Sequence, residues 1–319
     1  WIAGLFNADI SDPSNMSVTK LANIGTEYFG YYVRGMDANS TENYILLTES
    51  QGNKVYSFDF SGTQNWSVST SRNQGVVSIP DDNVAFYTAN GFLYSVNLST
   101  GAARDNITLG AAMSSTHSAA VLFDNNTKLL AWDEYNGSAN NAAFLDITDP
   151  DNLGTATAVT LTDAYLSEPN AAAIVWNESG QFFWLSSDTY LQKYTWNGSS
   201  LTRTVNYNWS ADWSTGDPFS IQYDADRDLI IAASGDRFNL YDVSSTPSMT
   251  DQITFAFSSR NMRYDPATQN IYVTVYNASG FQVVSYDASD ETNVTVIQTL
   301  VVSSTFTRAN DGYGGMALA

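Results

Sequence analysis

The chain has 319 residues, enough to bury a large core, and its 13 Lys plus Arg against 33 Asp plus Glu leave a net charge of −20. A field of that sign repels nucleic acid and anionic membranes and argues against both as partners. Cysteine is absent, which excludes a disulfide framework and a thiolate metal site, and no window approaches the ~18 unbroken apolar residues of a membrane-spanning helix.

In chain order, "WIAGLFNADISDPSNMSVTKL" opens with two strand-like runs around a polar turn. It starts at Trp1 rather than Met, which suits a mature secreted protein. A short apolar strand ending in Asp or Asn then recurs seven times, as "VRGMD" to Asp37, "VSIPD" to Asp81, "AVLFD" to Asp124, "AIVWN" to Asn177, "SIQYD" to Asp224, "NMRYD" to Asp265 and "TRAND" to Asp311. Each is followed by a polar turn and a second strand, such as "NYILLTES", "QFFWLSS" or "NIYVTVY". A third strand follows ("KVYSFDFS", "FNLYDVSS", "FQVVSYDAS"), and then a fourth. The markers stand 41 to 53 residues apart, the period of a four-stranded propeller blade.

The first-strand count exceeds the third-strand count until the two ends are combined. The N-terminal runs supply the third and fourth strands of a closing blade, and "TFTRANDGYGGMALA" supplies its first and second. The expectation is therefore one all-β domain over residues 1–319, a seven-bladed β-propeller closed by its termini. An irregular β-sandwich is the competing arrangement, disfavoured by seven in-phase copies.

"IYVTVYNASGFQVVSYDAS" resembles the YVTN β-propeller repeat, and "LFNADISDPSNMSV" and "AFLDITDPDNL" resemble the LVIVD repeat. Both are similar to repeats of secreted and surface-layer proteins of archaea and bacteria. The resemblance implies a seven-bladed fold and carries no catalytic motif.

Asn-X-Ser/Thr sequons begin at Asn15, Asn39, Asn65, Asn97, Asn106, Asn125, Asn136, Asn177, Asn197, Asn208, Asn277 and Asn293. Chance pairing of the same composition would give about six, so the excess points to N-linked glycans and an extracellular, cell-surface location. In blades whose strands A to D run outward, A–B turns hold Asn39, Asn125 and Asn177. Asn15, Asn65, Asn97, Asn106, Asn197 and Asn293 lie in or beside C–D turns on the same face. Only Asn136, Asn208 and Asn277 fall on the opposite face. Asn- and Ser-rich turns give the same skew without glycans.

The barer face carries two longer loops, with Asp133, Glu134 and Tyr135 in one and Trp209, Asp212, Trp213 and Asp217 in the other. Aromatic planes beside carboxylates suit sugar recognition, and paired acids suit polysaccharide cleavage; packing of the indoles between blades is the competing reading. His117 is the only histidine, so a multi-His metal site is excluded, and no nucleophile-elbow pattern surrounds it. "DADRD" places Asp224, Asp226 and Asp228 at alternating positions like the start of a calcium loop. Leu229 then stands at the sixth position and Gly235 at the twelfth, so an ordinary turn with at most weak Ca2+ binding is expected. The sequence thus favours a non-catalytic, glycosylated extracellular structural or assembly protein, a subunit of a surface layer, sheath or filament or an adhesin head. It needs no cofactor, and its partners are further copies or other surface proteins and glycans. A carbohydrate-binding module is the alternative.

Overall fold

A computed structural model describes residues 3–24, 33–49, 53–70, 73–109, 118–133, 142–159, 174–187, 189–213, 218, 220–254, 258–277 and 280–303. Apart from two single 3-10 turns at Pro80–Asp82 and Ser210–Asp212, the regular structure among them is antiparallel strand. A two-stranded sheet pairs β1 (Ala3–Asp9) with β2 (Ser17–Ile24). Sheet 1 is β3 (Val33–Asn39), β4 (Tyr44–Glu49), β5 (Lys54–Phe58) and β6 (Gln64–Ser69). Sheet 2 is β7 (Asn73–Ile79), β8 (Val84–Ala89), β9 (Phe92–Asn97) and β10 (Ala103–Thr108). Sheet 3 is β11 (Ser118–Phe123), β12 (Lys128–Asp133), β13 (Ala142–Asp146) and β14 (Thr157–Val159). Sheet 4 is β15 (Ile174–Asn177), β16 (Phe182–Ser186), β17 (Tyr190–Trp196) and β18 (Leu201–Asn208). Sheet 5 is β19 (Ser220–Asp224), β20 (Leu229–Ala233), β21 (Arg237–Asp242) and β22 (Ser248–Thr254). Sheet 6 is β23 (Ser258–Asp265), β24 (Asn270–Asn277), β25 (Gly280–Asp287) and β26 (Thr295–Ser303).

Each four-stranded sheet is a meander in chain order, and the first strands β3, β7, β11, β15, β19 and β23 contact one another in succession. They form the inner wall. The second strands are covered on both sides, which is why β8, β16 and β20 are buried at every position and are apolar apart from Thr88 and Ser186. Burial then falls outward, and the fourth strand β18 alternates between half-buried and exposed along its whole length.

In the A–B hairpins the marker side chains cap the turn where the first strand ends: Asn177 Oδ1 accepts the Gly180 N–H at 2.5 Å, Asp224 Oδ1 the Asp226 N–H at 3.0 Å and Asp265 Oδ1 the Ala267 N–H at 3.0 Å. The residue just before β4, β8, β16, β20 and β24 is Asn43, Asn83, Gln181, Asp228 or Gln269, each at a φ between 49° and 57°. Asn and Asp tolerate that left-handed conformation best, and three of the five positions hold one of them.

Seven apolar clusters lie between neighbouring sheets, and they run around a ring. Five join sheets 1 to 6 in order. A sixth sets Leu5 against Ile45, Leu47, Tyr56 and Phe58 of sheet 1, and a seventh sets Met16 against Tyr272 and Val283 of sheet 6. The two-stranded sheet therefore sits between the last and the first four-stranded sheets. The "TRAND" marker and the strands expected at 305–319 lie outside the described residues.

Candidate functional site

The expected sugar-stacking loop takes a different course. Trp209 has no exposed surface, and its Nε1–H donates to the Ser187 carbonyl at 2.9 Å. Its ring meets Trp213 edge-on at 5.5 Å and lies 5.4 Å from Tyr241. Asp212 is tied down between them. Its carbonyl accepts from Asn239 Nδ2 and Gln252 Nε2, both at 3.3 Å, and its carboxylate accepts from Tyr241 Oη at 3.3 Å. Burial raises the Asp212 carboxyl above its ordinary range, with the Tyr241 hydrogen bond opposing. Trp209, Asp212 and Trp213 thus lock the crossover from sheet 4 onto sheet 5 instead of offering indole faces to a ligand. A fourth strand leading through a short crossover into the next inner strand must cover the apolar gap between sheets, and aromatic rings fill it. Asp133 ends β12 with its backbone opposite Ser118, while Glu134, Tyr135 and Asp217, like His117, lie outside the described residues.

"DADRD" is a clamp between sheets. Tyr264 Oη donates to Asp224 Oδ2 at 2.6 Å and Arg227 Nε donates to the same oxygen at 2.7 Å. Arg227 also donates to Tyr264 Oη at 2.7 Å and to the Ala288 carbonyl at 2.6 Å. Burial works to raise the Asp224 carboxyl, but these donors outweigh it and the net shift is downward. Asp228 accepts from Tyr223 Oη at 2.5 Å, and Asp226 is exposed. Asp224 and Asp228 therefore have separate partners, and Asp226 faces solvent. Among the described residues no three His, Cys, Asp or Glu side chains group as metal ligands.

The sequon asparagines differ in access. Asn15, Asn65, Asn106, Asn125, Asn197, Asn208 and Asn293 are exposed, and Asn39 and Asn97 are half-buried. Asn106 lies within the outer strand β10 rather than in a turn. Asn177 departs from expectation: it is buried, and its Oδ1 accepts from the Gly180 N–H at 2.5 Å and from Ser179 Oγ at 3.1 Å. A glycan there requires that turn to open. Asn136 lies outside the described residues, as does the side chain of Asn277.

Two turn motifs repeat around the ring. At the end of each third strand an Asp or Asn side chain accepts the N–H of a Ser or Thr two or three residues on, at Asp59, Asn97, Asp146, Asn197, Asp242 and Asp287. Asp9 at the end of β1 does the same with Ser11. In three C–D loops the N–H of a buried apolar residue also donates to the outer strand of the preceding sheet. Leu153 donates to Asp105 Oδ2 at 2.7 Å, Val294 to Asp251 Oδ2 at 2.9 Å and Met16 to Gln298 Oε1 at 2.6 Å. Ser95 Oγ donates to the Pro150 carbonyl at 2.5 Å, and Ser285 Oγ to the Pro13 carbonyl at 3.0 Å. The two-stranded sheet therefore docks on sheet 6 as sheet 3 docks on sheet 2.

No family model matches the chain, and no curated protein matches it. Solved structures do. The periplasmic gluconolactonase of Pseudomonas aeruginosa is 13% identical with a TM-score of 0.68, over 92% of this chain and 91% of that one. A putative 6-phosphogluconolactonase of Bacteroides fragilis is 12% identical with a TM-score of 0.68, over 95% and 96%. The β-propeller domain of Cps50 (Swd1) from Myceliophteria thermophila is 10% identical with a TM-score of 0.62, over 88% of each chain. At these identities the likeness carries the fold and not the chemistry. With the ring of radially ordered sheets, it makes this chain a β-propeller.

Proposed function

We propose that the chain is a non-catalytic, N-glycosylated extracellular structural or assembly protein, such as a surface-layer, sheath or filament subunit or an adhesin head. The observation that carries the reading is the set of seven exposed sequon asparagines, Asn15, Asn65, Asn106, Asn125, Asn197, Asn208 and Asn293, spread over the turns and outer strands of a rigid ring. Glycans there would coat the rim and the A–B/C–D face while leaving the packed core untouched.

The same reading takes the ring as seven-bladed and as one domain, with β1 and β2 as the third and fourth strands of the closing blade and the C-terminal residues as its first and second. The Asp9 turn and the Met16 and Pro13 contacts support it, since each copies a contact made by a complete sheet. A resident cofactor is not part of the proposal.

Of the two loops expected to carry sugar binding, the one with Trp209 and Trp213 has its indoles packed inside, which favours assembly over a carbohydrate-binding module. On the inner wall, burial raises the Asp37 carboxyl. Its partners are Ser78, which donates to it, and the Arg263 charge, and these do not make a paired-acid site. Mass spectrometry of glycopeptides from protein purified from its native source tests the reading. Glycans on the exposed asparagines are expected. Unmodified peptides across all of them would overturn it.

A further inference from the structure

Outer strands carry unpaired backbone groups that template contact with other chains, and proteins protect them with charge, brevity or bulky modification. Six of the outer strands described here are protected in such ways. β6 carries the sequon Asn65; β10 carries Arg104, Asp105 and the sequon Asn106; β18 carries Arg203 and ends at the sequon Asn208. β22 holds Asp251, and β14 has three residues. The N-terminal β2 holds Lys20.

β26 differs from all of these. At nine residues it is the longest strand described, "TVIQTLVVS", with no charged side chain and no sequon asparagine. It ends the order of sheet 6, so its outer edge is unpaired among the described strands. Val296 and Val301 are 59% and 47% exposed, two of the three exposed large apolar residues among the described residues. Register shifts interrupt its pairing with β25 near each end, leaving Gln298 to Val301 regular between them.

We propose that β26 is a self-association edge, pairing antiparallel with β26 of a second copy across a two-fold axis so that two copies of sheet 6 become one continuous sheet. The inference rests on the assembly reading above and names the surface that would serve it. Charge selects the occupant. Copies that each carry a net charge of −20 repel, so they meet at least cost where neither presents a carboxylate, and β26 is such a strand. A basic partner would instead be drawn to the acidic remainder of the surface. An isologous contact places each strand against itself, and the exposed valines then cover one another.

The test uses the full glycosylated chain in sedimentation velocity, beside a Val296→Lys/Val301→Lys double variant and a Thr299→Cys variant in the otherwise cysteine-free background. Both sites are on the surface, and circular dichroism melting checks that the variants fold. The expected result is a discrete dimer of the wild type, weakened by about tenfold or more in the lysine variant. Thr299→Cys should form a covalent dimer under mild oxidation. A wild type that stays monomeric at every concentration overturns the proposal. So does a dimer that survives both lysines and gives no crosslink; glycopeptides found on the same material would then leave the glycosylated-surface reading standing without this edge.

Discussion

The Met16 backbone N–H donates to Gln298 Oε1 at 2.6 Å, joining residues 282 positions apart, and repeats the bond that Leu153 makes to Asp105 and Val294 makes to Asp251. The N-terminal hairpin thus docks on sheet 6 by the kind of bond that joins sheet 3 to sheet 2 and sheet 6 to sheet 5.

Gln298→Leu removes the acceptor and leaves a buried N–H without one. A loss of about 1–3 kcal/mol in unfolding free energy is expected, read by denaturant titration with an unchanged m-value. No loss would mean that the hairpin does not hold the ring closed.

The other side of the hairpin has its own sensitive point. Gly62 sits in the β5–β6 turn at a φ of 85°, and a Cβ there would come 2.2 Å from the Leu21 carbonyl oxygen of β2. Gly62→Ala should cost more than about 1 kcal/mol, because both the backbone conformation and the docked strand resist it. Gly198, at a φ of 91° with nothing near its Cβ position, is the control: its alanine variant bears the backbone strain without the clash and should lose less.

The Asp224 clamp predicts acid sensitivity. The folded-state pKa of Asp224 is depressed, so its stabilisation is fully present above the ordinary carboxylate value of about 4 and is lost as pH falls through the lower folded value. Arg227→Met leaves a buried carboxylate without its cation. It should destabilise by about 3–5 kcal/mol near neutral pH and flatten the acid limb of a melting-temperature profile. A variant profile parallel to wild type would contradict the assignment.

Trp209→Ala should cost about 3–5 kcal/mol by emptying the packed gap between sheets 4 and 5. If calorimetry instead shows unchanged stability while retention on a glycan column falls, Trp209 is a binding residue and not a packing one.

Much of the ring was legible in the sequence because its repeats have local causes. The Asp/Asn markers fall where the first strand ends and a side chain caps the turn, as at Asp224 and Asp265, and the mostly apolar second strands fall where both faces are covered. The third-strand Asp-X-Ser turns were likewise present as "FDFS", "YDVSS" and "YDAS". Side-chain direction was not legible. Trp209 and Trp213 look the same in sequence whether they line a cleft or fill a gap, since the choice depends on Tyr241 and Ile221 of the next sheet. The sheet-to-sheet latches were hidden too, because Asp105, Asp251 and Gln298 fill one role with two residue types, and their partners lie 43 to 282 positions away. Asn177 reads as a sequon, and only the fold turns it inward.

The most direct test of the assembly reading is a cryo-EM reconstruction of material purified from its native source with its sugars and neighbours intact. The account predicts glycan density at exposed asparagines such as Asn65, Asn106 and Asn197 and regular contacts between subunits. A bare monomer with carboxylates converging in an open central pocket would contradict it.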